Sequence, residues 1–184
     1  MSVNCAVSSA YSLGCKSNVG GIRSLYIFSD IITGVTYSGT GDTQVVSSVN
    51  GTGDLVEFQL YRGGSNFSEA MASDPAQGTV VYTQTITALF RDYTAQLRNQ
   101  FSLLAKSGTV QAVVRTNTDE YFLFGLNFDG GDATAITFNS GTAYSDRFGA
   151  DVVLTFLQKD PASFIQVTDN NLQAALSGID LVAA

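Results

Sequence analysis

The fold is decided by residues 78–125, GTVVYTQTITALFRDYTAQLRNQFSLLAKSGTVQAVVRTNTDEYFLFG. Residues 81–90 form a run rich in β-branched and aromatic side chains with a period of two, which predicts a long strand. The period then lengthens, because Leu97, Phe101 and Leu104 fall at i, i+4 and i+7 and share one face of a helix. The stretch therefore predicts a strand followed by an amphipathic helix that packs through these three side chains.

The ends of this helix and the segment after it carry their own signals. Asp92 can cap the amino end by accepting backbone N–H bonds, and Gly108 suits the left-handed position that stops a helix. Two short runs follow at residues 109–115 and 120–125, separated by the turn residues 117–119. They predict a tight hairpin of two strands.

Length and composition favour one mainly β domain. The chain has 184 residues, of which 45% are hydrophobic and 14% charged, with eighteen glycines and only two prolines. That profile suits many strands joined by glycine-rich turns around a real core. The formal net charge of −7 argues against a basic groove that grips phosphates, although an acidic wall can still repel nucleic acid that passes it.

The chain divides into three parts on the pattern of apolar and turn residues. Residues 1–21 are interpreted as an amino-terminal arm, residues 22–165 as the β domain, and residues 166–184 as a carboxyl-terminal tail with weak helical character. Within the domain, residues 38–53 and 63–77 are interpreted as long loops. No apolar run approaches the length that spans a bilayer, and the amino terminus does not match a signal peptide.

Four further strands are expected outside the central stretch: residues 22–28, 55–62, 135–138 and 151–157. The last of them is apolar on both faces. It is therefore expected to be buried on both sides, or to meet another copy of the chain through one face.

The sequence offers no catalytic, cofactor-binding or metal-binding residues that can be argued for. The absence of histidine excludes Ser–His–Asp and Cys–His arrangements. Cys5 and Cys15 do not form a zinc site, and free thiols are preferred over a bridge between them. The run Asp129-Gly130-Gly131-Asp132 can hold calcium weakly, but a turn is the better interpretation. We therefore expect a protein that is not an enzyme.

Four segments resemble the tail-tube proteins of tailed phages, and in particular structural proteins of phages and prophages from Bacteroidetes-type hosts. They are VEFQLYRGGSNFSEAM, GTVVYTQTITALF, AQLRNQFSLLAKSGTVQAVVRTNTDEYFLFG and GTAYSDRFGADVVLTFLQKDPASF. The shared order is a strand, a long strand, a helix, a polar hairpin and a closing strand before an acidic-Pro tail. The resemblance covers roughly residues 20–165.

The resemblance implies a mainly β fold with one principal α-helix, a β-sandwich or half-barrel whose sheet continues between subunits, and the helix packed on the outside. It also implies hexameric rings that stack into a tube in the virion tail, assembled in the host cytoplasm. The expected partners are other copies of the chain, other tail proteins, and DNA that passes through the lumen without specific binding. An acidic lumen would suit that passage.

The two interpreted loops are expected to make the contacts between subunits. The candidate residues are Gly39, Gly41, Asp42, Asn50, Gly53, Phe67 and Met71. The alternatives are another virion component, such as a head–tail connector, tail terminator or capsid-decorating protein, or a carbohydrate-binding β module.

Overall fold

A computed structural model of the protein describes residues 10–11, 19–61, 63–126 and 130–184. Most of the proposed arm lies outside the described residues, and so do Cys5, Cys15 and Asp129. Within them the elements are β1 Ile22–Phe28, β2 Gly34–Ser38, β3 Val45–Asn50, β4 Asp54–Gln59, β5 Asn66–Asp74, β6 Thr79–Phe90, α1 Ala95–Leu104, β7 Ala112–Thr116, β8 Tyr121–Phe124, β9 Gly131–Asn139, β10 Gly149–Gln158, β11 Ser163–Ile165, β12 Leu176–Ser177 and β13 Asp180–Val182, with short 3₁₀ helices at Gly41–Thr43 and Leu172–Ala175.

The strands form two sheets, so the expected mainly β fold with one principal α-helix is confirmed. The larger sheet is curled and has the order β12-β3-β11-β8-β7-β1-β4-β13, with β2 beside β3. The smaller sheet is antiparallel, with the order β5-β6-β10-β9. The two sheets pack face to face, because each strand at their interface directs alternate apolar side chains into one shared core.

The central stretch folds as a long strand, a helix and a hairpin, but the helix ends differ from expectation. Thr94, not Asp92, is the N-cap, because its hydroxyl accepts the N–H of Leu97 at 3.2 Å. At the other end Ala105 is the C-cap, and the N–H of Ser107 closes the last turn on carbonyls within the helix. Gly108 therefore lies beyond the cap and does not stop the helix.

The helix packs against the core between the two sheets. Phe101 is buried at 3% exposure, and its ring meets the ring of Phe90 edge-on at 5.0 Å between centroids. Leu97 and Leu104 are partly buried against the same core, as their spacing predicts. On its other side the helix faces β1 and β4, so it covers the open side of the sandwich.

A second core fills the inside of the curled sheet. It is built from side chains that point away from the smaller sheet: Tyr26, Phe28, Ile32, Val46, Val49, Leu55, Val113, Tyr121, Leu123, Ile165, Leu172, Ala175, Leu176 and Ile179. The division that placed residues 166–184 outside the β domain as a carboxyl-terminal tail is therefore wrong. The tail contributes buried side chains and two strands, because a curled sheet needs a segment to cover its interior.

The interpretation of residues 38–53 as a loop is also wrong. Residues 45–50 form β3, an antiparallel partner of β2, and Val46 and Val49 are fully buried. The irregular part is confined to the short turn around Gly39 and Gly41, both of which have positive φ angles.

The interpretation of residues 63–77 as a loop fails for a different reason. Residues 66–74 form β5, which pairs with β6 along its whole length. Most of its side chains are exposed, so β5 lacks the alternation of buried and exposed residues seen in a half-buried strand. Its strand conformation is set by backbone pairing with β6 instead.

Candidate functional site

The most distinctive surface is the face of the smaller sheet that points away from the larger one, called the outer face here. Along β6 the buried residues Gln84, Ile86 and Ala88 alternate with the outward residues Thr85 and Thr87. Residues that lie opposite the outward residues of β6 in the strand register also point outward, which assigns the outward residues of β5, β10 and β9. The outer face consists of Asn66, Ser68, Ala70, Ala72 and Asp74 on β5, Thr79, Val81, Thr83, Thr85, Thr87 and Leu89 on β6, Asp151, Val153, Thr155 and Leu157 on β10, and Asp132, Thr134, Ala135, Thr137 and Asn139 on β9.

The outer face is built from short side chains, with threonine the commonest. Thr134 lies at a register shift between β9 and β10, where its hydroxyl is 3.1 Å from the Thr155 hydroxyl and 3.3 Å from the Val153 carbonyl oxygen. Threonine suits an uncovered sheet, because its branched side chain fits the pleat while its hydroxyl stays hydrated. The result is a flat, hydroxyl-rich surface.

The charges on the outer face are few and negative. Its carboxylates are Asp74, Asp132 and Asp151, and none of its described residues is lysine or arginine. The nearest strongly held cation is Arg147, just before β10, whose guanidinium donates to the Asp151 carboxylate and to the Phe90 carbonyl oxygen. Arg147 is therefore neutralised where it borders the face.

Both long edges of the smaller sheet are free in the described part of the chain. β5 pairs only with β6, and β9 pairs with β10 apart from one bridge between Gly131 and Val110. Free edges present unpaired backbone groups that favour pairing with a further strand. These edges can therefore join the smaller sheets of neighbouring copies.

The tip of the β5–β6 hairpin is exposed on both of its faces. Met71 pairs with Tyr82, and Met71 and Val80 are exposed although they lie on the face that elsewhere packs into the core. A two-stranded ribbon with an uncovered apolar face is only marginally stable alone. The tip is thus suited to a contact with another chain.

A loop at the opposite end of the smaller sheet joins β9 and β10 and exposes Tyr144 and Phe148. Asp146 organises it, accepting the N–H of Ala143 and of Thr142 at 2.8 Å each. These backbone bonds, together with the Thr142 hydroxyl, lower the pKa of the Asp146 carboxyl below its usual value.

We expect this loop to loosen in acid. A lowered folded-state pKa means that the stabilisation is fully present above the unfolded value of 3.8 and is lost as the pH falls through the folded value. Amide hydrogen exchange at Thr142 and Ala143, corrected for intrinsic rates, should stay constant from neutral pH to about pH 4 and rise below it. Asp146→Asn should show no such step, and an identical step in that variant would contradict this assignment.

A cleft of about 720 Å³ separates the β2–β3 turn from the base of the β5–β6 hairpin. Its aromatic lining includes Phe67, Phe122 and Phe164, with 5.0 Å between the first two ring centroids and 4.3 Å between the last two. Gln84 lies at its floor, and its Nε2 donates to Glu69 Oε2 at 2.9 Å. The Gln84 Oε1 atom is buried and has no hydrogen-bond partner among the described residues.

Comparisons with protein-family models, curated proteins and solved structures gave no match. The site therefore has to be interpreted from its own geometry. Among the described residues no cluster of three or more His, Cys, Asp or Glu side chains is placed to hold a metal ion. No helix in that part of the chain has the length and hydropathy needed to cross a membrane.

The predicted contact residues fall in three separate places. Gly39, Gly41 and the backbone of Asp42 lie in or beside the β2–β3 turn; Asn50 and Gly53 flank the β3–β4 turn; Phe67 and Met71 lie on β5. The structure brings Gly41 and Phe67 together at the cleft and leaves Met71 exposed on the hairpin tip. Their role between subunits remains a prediction.

Sequence reasoning missed the outer face as a surface. The signal was present in Thr83, Thr85 and Thr87, which recur with the period of a strand. It became interpretable only once the register placed Thr155 and Thr134 beside them.

Proposed function

We propose that the protein is a structural subunit of a phage tail tube whose outer face lines the passage for DNA. The observation that carries the proposal is a four-stranded sheet with one face packed in the core. Among the described residues, its other face is uncovered and carries no lysine or arginine, and its edges have no partner strand apart from the bridge at Gly131. The resemblance of residues 20–165 to tail-tube proteins supports the same role.

The free edges support assembly into a ring. If β5 of one copy lies beside β9 of the next, the smaller sheets become one continuous barrel wall and every edge is paired. The uncovered face then lines the inside of the ring. Short side chains leave that wall smooth, and the carboxylates of Asp74 and Asp132 disfavour adhesion of phosphates.

The two ends of the smaller sheet support stacking. The apolar tip with Met71 and Val80 lies at one end, and the loop with Tyr144 and Phe148 lies at the other. A contact between unlike surfaces repeats without closing, so rings joined in this way form a tube.

Negative-stain electron microscopy across a range of protein concentrations tests the proposal directly. Hollow filaments or stacked rings are the expected result. A single ring that never stacks would favour a tail terminator or connector, and a persistent monomer under all conditions would contradict a self-assembling tube subunit.

We also expect Asp151→Asn to make the assembled tube bind DNA. The substitution removes the carboxylate partner of Arg147 and leaves a cation at the border of the outer face. Fluorescence anisotropy with a labelled duplex should detect binding whose log affinity falls with log salt by about 0.9 per phosphate contacted.

Asp54→Asn is the matched control, because it changes the net charge equally at an exposed position on the larger sheet. Asp54→Asn should bind DNA no better than the unmodified protein. Equal DNA binding by the two variants would contradict the proposal that the outer face, rather than the surface as a whole, is the part of the protein that meets DNA.

A carbohydrate-binding module is the second candidate, favoured by the cleft between the two sheets. Its aromatic rings, with the Glu69 carboxylate and the Gln84 amide close by, are side chains that commonly hold a sugar. Titration of the monomer with oligosaccharides, followed by nuclear magnetic resonance, would identify this role if the shifts map to Phe122 and Phe164.

A further inference from the structure

The carboxyl-terminal part of the chain supplies β12 and β13, the two end strands of the larger sheet, which pair with β3 and β4. β3 and β4 follow each other through the turn at residues 51–53, and residues 176–182 run parallel to both. Leu176 is opposite Val49, and Leu181 is opposite Leu55. We call residues 171–182 the closing segment and residues 49–56 the acceptor edge.

The closing segment bends together with the acceptor edge. Gly178 lies beside the turn with a φ of +77°, and a Cβ added there would come within 2.5 Å of the Gly51 carbonyl oxygen. A side chain is therefore excluded at this position. Ile179 follows directly and enters the second core at 2% exposure.

The closing segment holds its own shape. The Gln173 side chain donates from Nε2 to the Ile179 carbonyl oxygen at 2.9 Å and accepts the Leu181 N–H on Oε1 at 2.7 Å. Leu172 and Ala175 bury the short 3₁₀ helix against the same core as Ile179. The segment is thus a unit that can dock as a whole.

The connection to this unit is exposed and strained. Asp169 and Asn170 both have a φ of +54°, in the left-handed region that non-glycine residues disfavour. Aspartate and asparagine tolerate it best, but two in succession still store strain that an extended connection would release. The linker, residues 166–170, would span at most about 17 Å when extended.

We propose that the closing segment of one copy docks on the acceptor edge of a second copy of this chain. The parallel pairing and the burial of Ile179 and Leu172 would be the same as within one chain, while the linker strain is relieved. Short hinge connections under strain favour this kind of exchange. The exchange involves the curled sheet and not the outer face, so it is independent of the proposed role in a tube.

A disulfide trap between two chains tests the exchange. One chain carries Asn50→Cys and a mass tag, and the other carries Ser177→Cys; in both, Cys5 and Cys15 are replaced by serine. Asn50 and Ser177 are direct partners in the sheet. Because neither chain holds both cysteines, a disulfide between the tagged and untagged chain requires the closing segment of one copy to reach the other.

The chains are mixed, unfolded, refolded together and oxidised, then separated on a non-reducing gel. The expected result is a mixed dimer whose yield rises with protein concentration. Replacing Ser177→Cys by Val182→Cys is the matched control, since Val182 pairs with Val56 and not with Asn50. A mixed dimer no more abundant than in this control, at every concentration, would overturn the proposal.

Hinge variants give an independent readout on chains that carry both cysteines. Proline cannot adopt a positive φ, so Asp169→Pro should raise the share of disulfides between chains, whereas glycine at both Asp169 and Asn170 should lower it. Size-exclusion chromatography selects folded material first. The proposal would likewise be overturned if disulfides formed only within single chains in the unmodified linker, the proline variant and the double glycine variant alike.

Discussion

Phe101→Ala is expected to lower the free energy of unfolding by about 3–5 kcal/mol. The ring is buried, touches Phe90, and lies 6.3 Å from the Phe138 ring between centroids, so the helix is anchored to two strands of the smaller sheet through one side chain. Truncation leaves a cavity where α1 meets the core between the sheets. Chemical denaturation followed by circular dichroism measures the loss.

Leu103→Ala is the control for this prediction. Leu103 lies on the same helix but is 64% exposed, so its truncation should change the free energy of unfolding by no more than about 0.5 kcal/mol. Equal effects of the two substitutions would contradict the conclusion that the buried ring of Phe101 anchors α1, because alanine favours the helix at both positions.

Ile179→Ala is expected to cost about 2–5 kcal/mol of the free energy of unfolding. Ile179 is among the largest fully buried side chains and lies in the segment that covers the inside of the curled sheet. Removing most of its side chain weakens the core formed by β3, β4, β7 and β8. Urea unfolding of the full chain measures the effect.

Val182→Ala provides the comparison, because Val182 lies on β13 in the same segment but is 46% exposed. Its truncation should be nearly neutral. A small effect at both positions would mean that residues 176–182 add little to the stability of the larger sheet.

The elements that the sequence predicted well are those whose side-chain pattern and environment agree. β6 has one buried and one outward face, and α1 buries the face marked by Leu97, Phe101 and Leu104. In both, the period of the sequence matches the period of the structure. β10 was recognised instead from its continuous apolar run, although only one of its two apolar faces is buried in the core.

β3 escaped recognition because its buried residues do not alternate. Val46 and Val49 both reach the second core although they are three positions apart. The register between β2 and β3 shifts at this point, where Thr36 is opposite Ser48 and Tyr37 is opposite Val46. A bulge of one residue resets which side of the strand faces inward, and sequence periodicity alone cannot reveal it.

The closing segment and the outer face were missed for another physical reason. Residues 176–182 form two very short strands whose partners lie far away in the chain. The local pattern of apolar and polar residues does not predict such pairing. The hydroxyl-rich outer face likewise depends on threonines from three different strands. Both features arise from long-range register, which a single sequence leaves undetermined.

The position of the closing segment also constrains when the protein can finish folding. During synthesis β3 and β4 leave the ribosome early, yet the edges that pair with β12 and β13 stay open until residues up to Val182 have emerged. Until then the interior of the curled sheet is in contact with water, and these unpaired strand edges are available to any neighbouring nascent chain. Closure of the larger sheet is therefore a late event that follows the departure of nearly the whole domain from the ribosome.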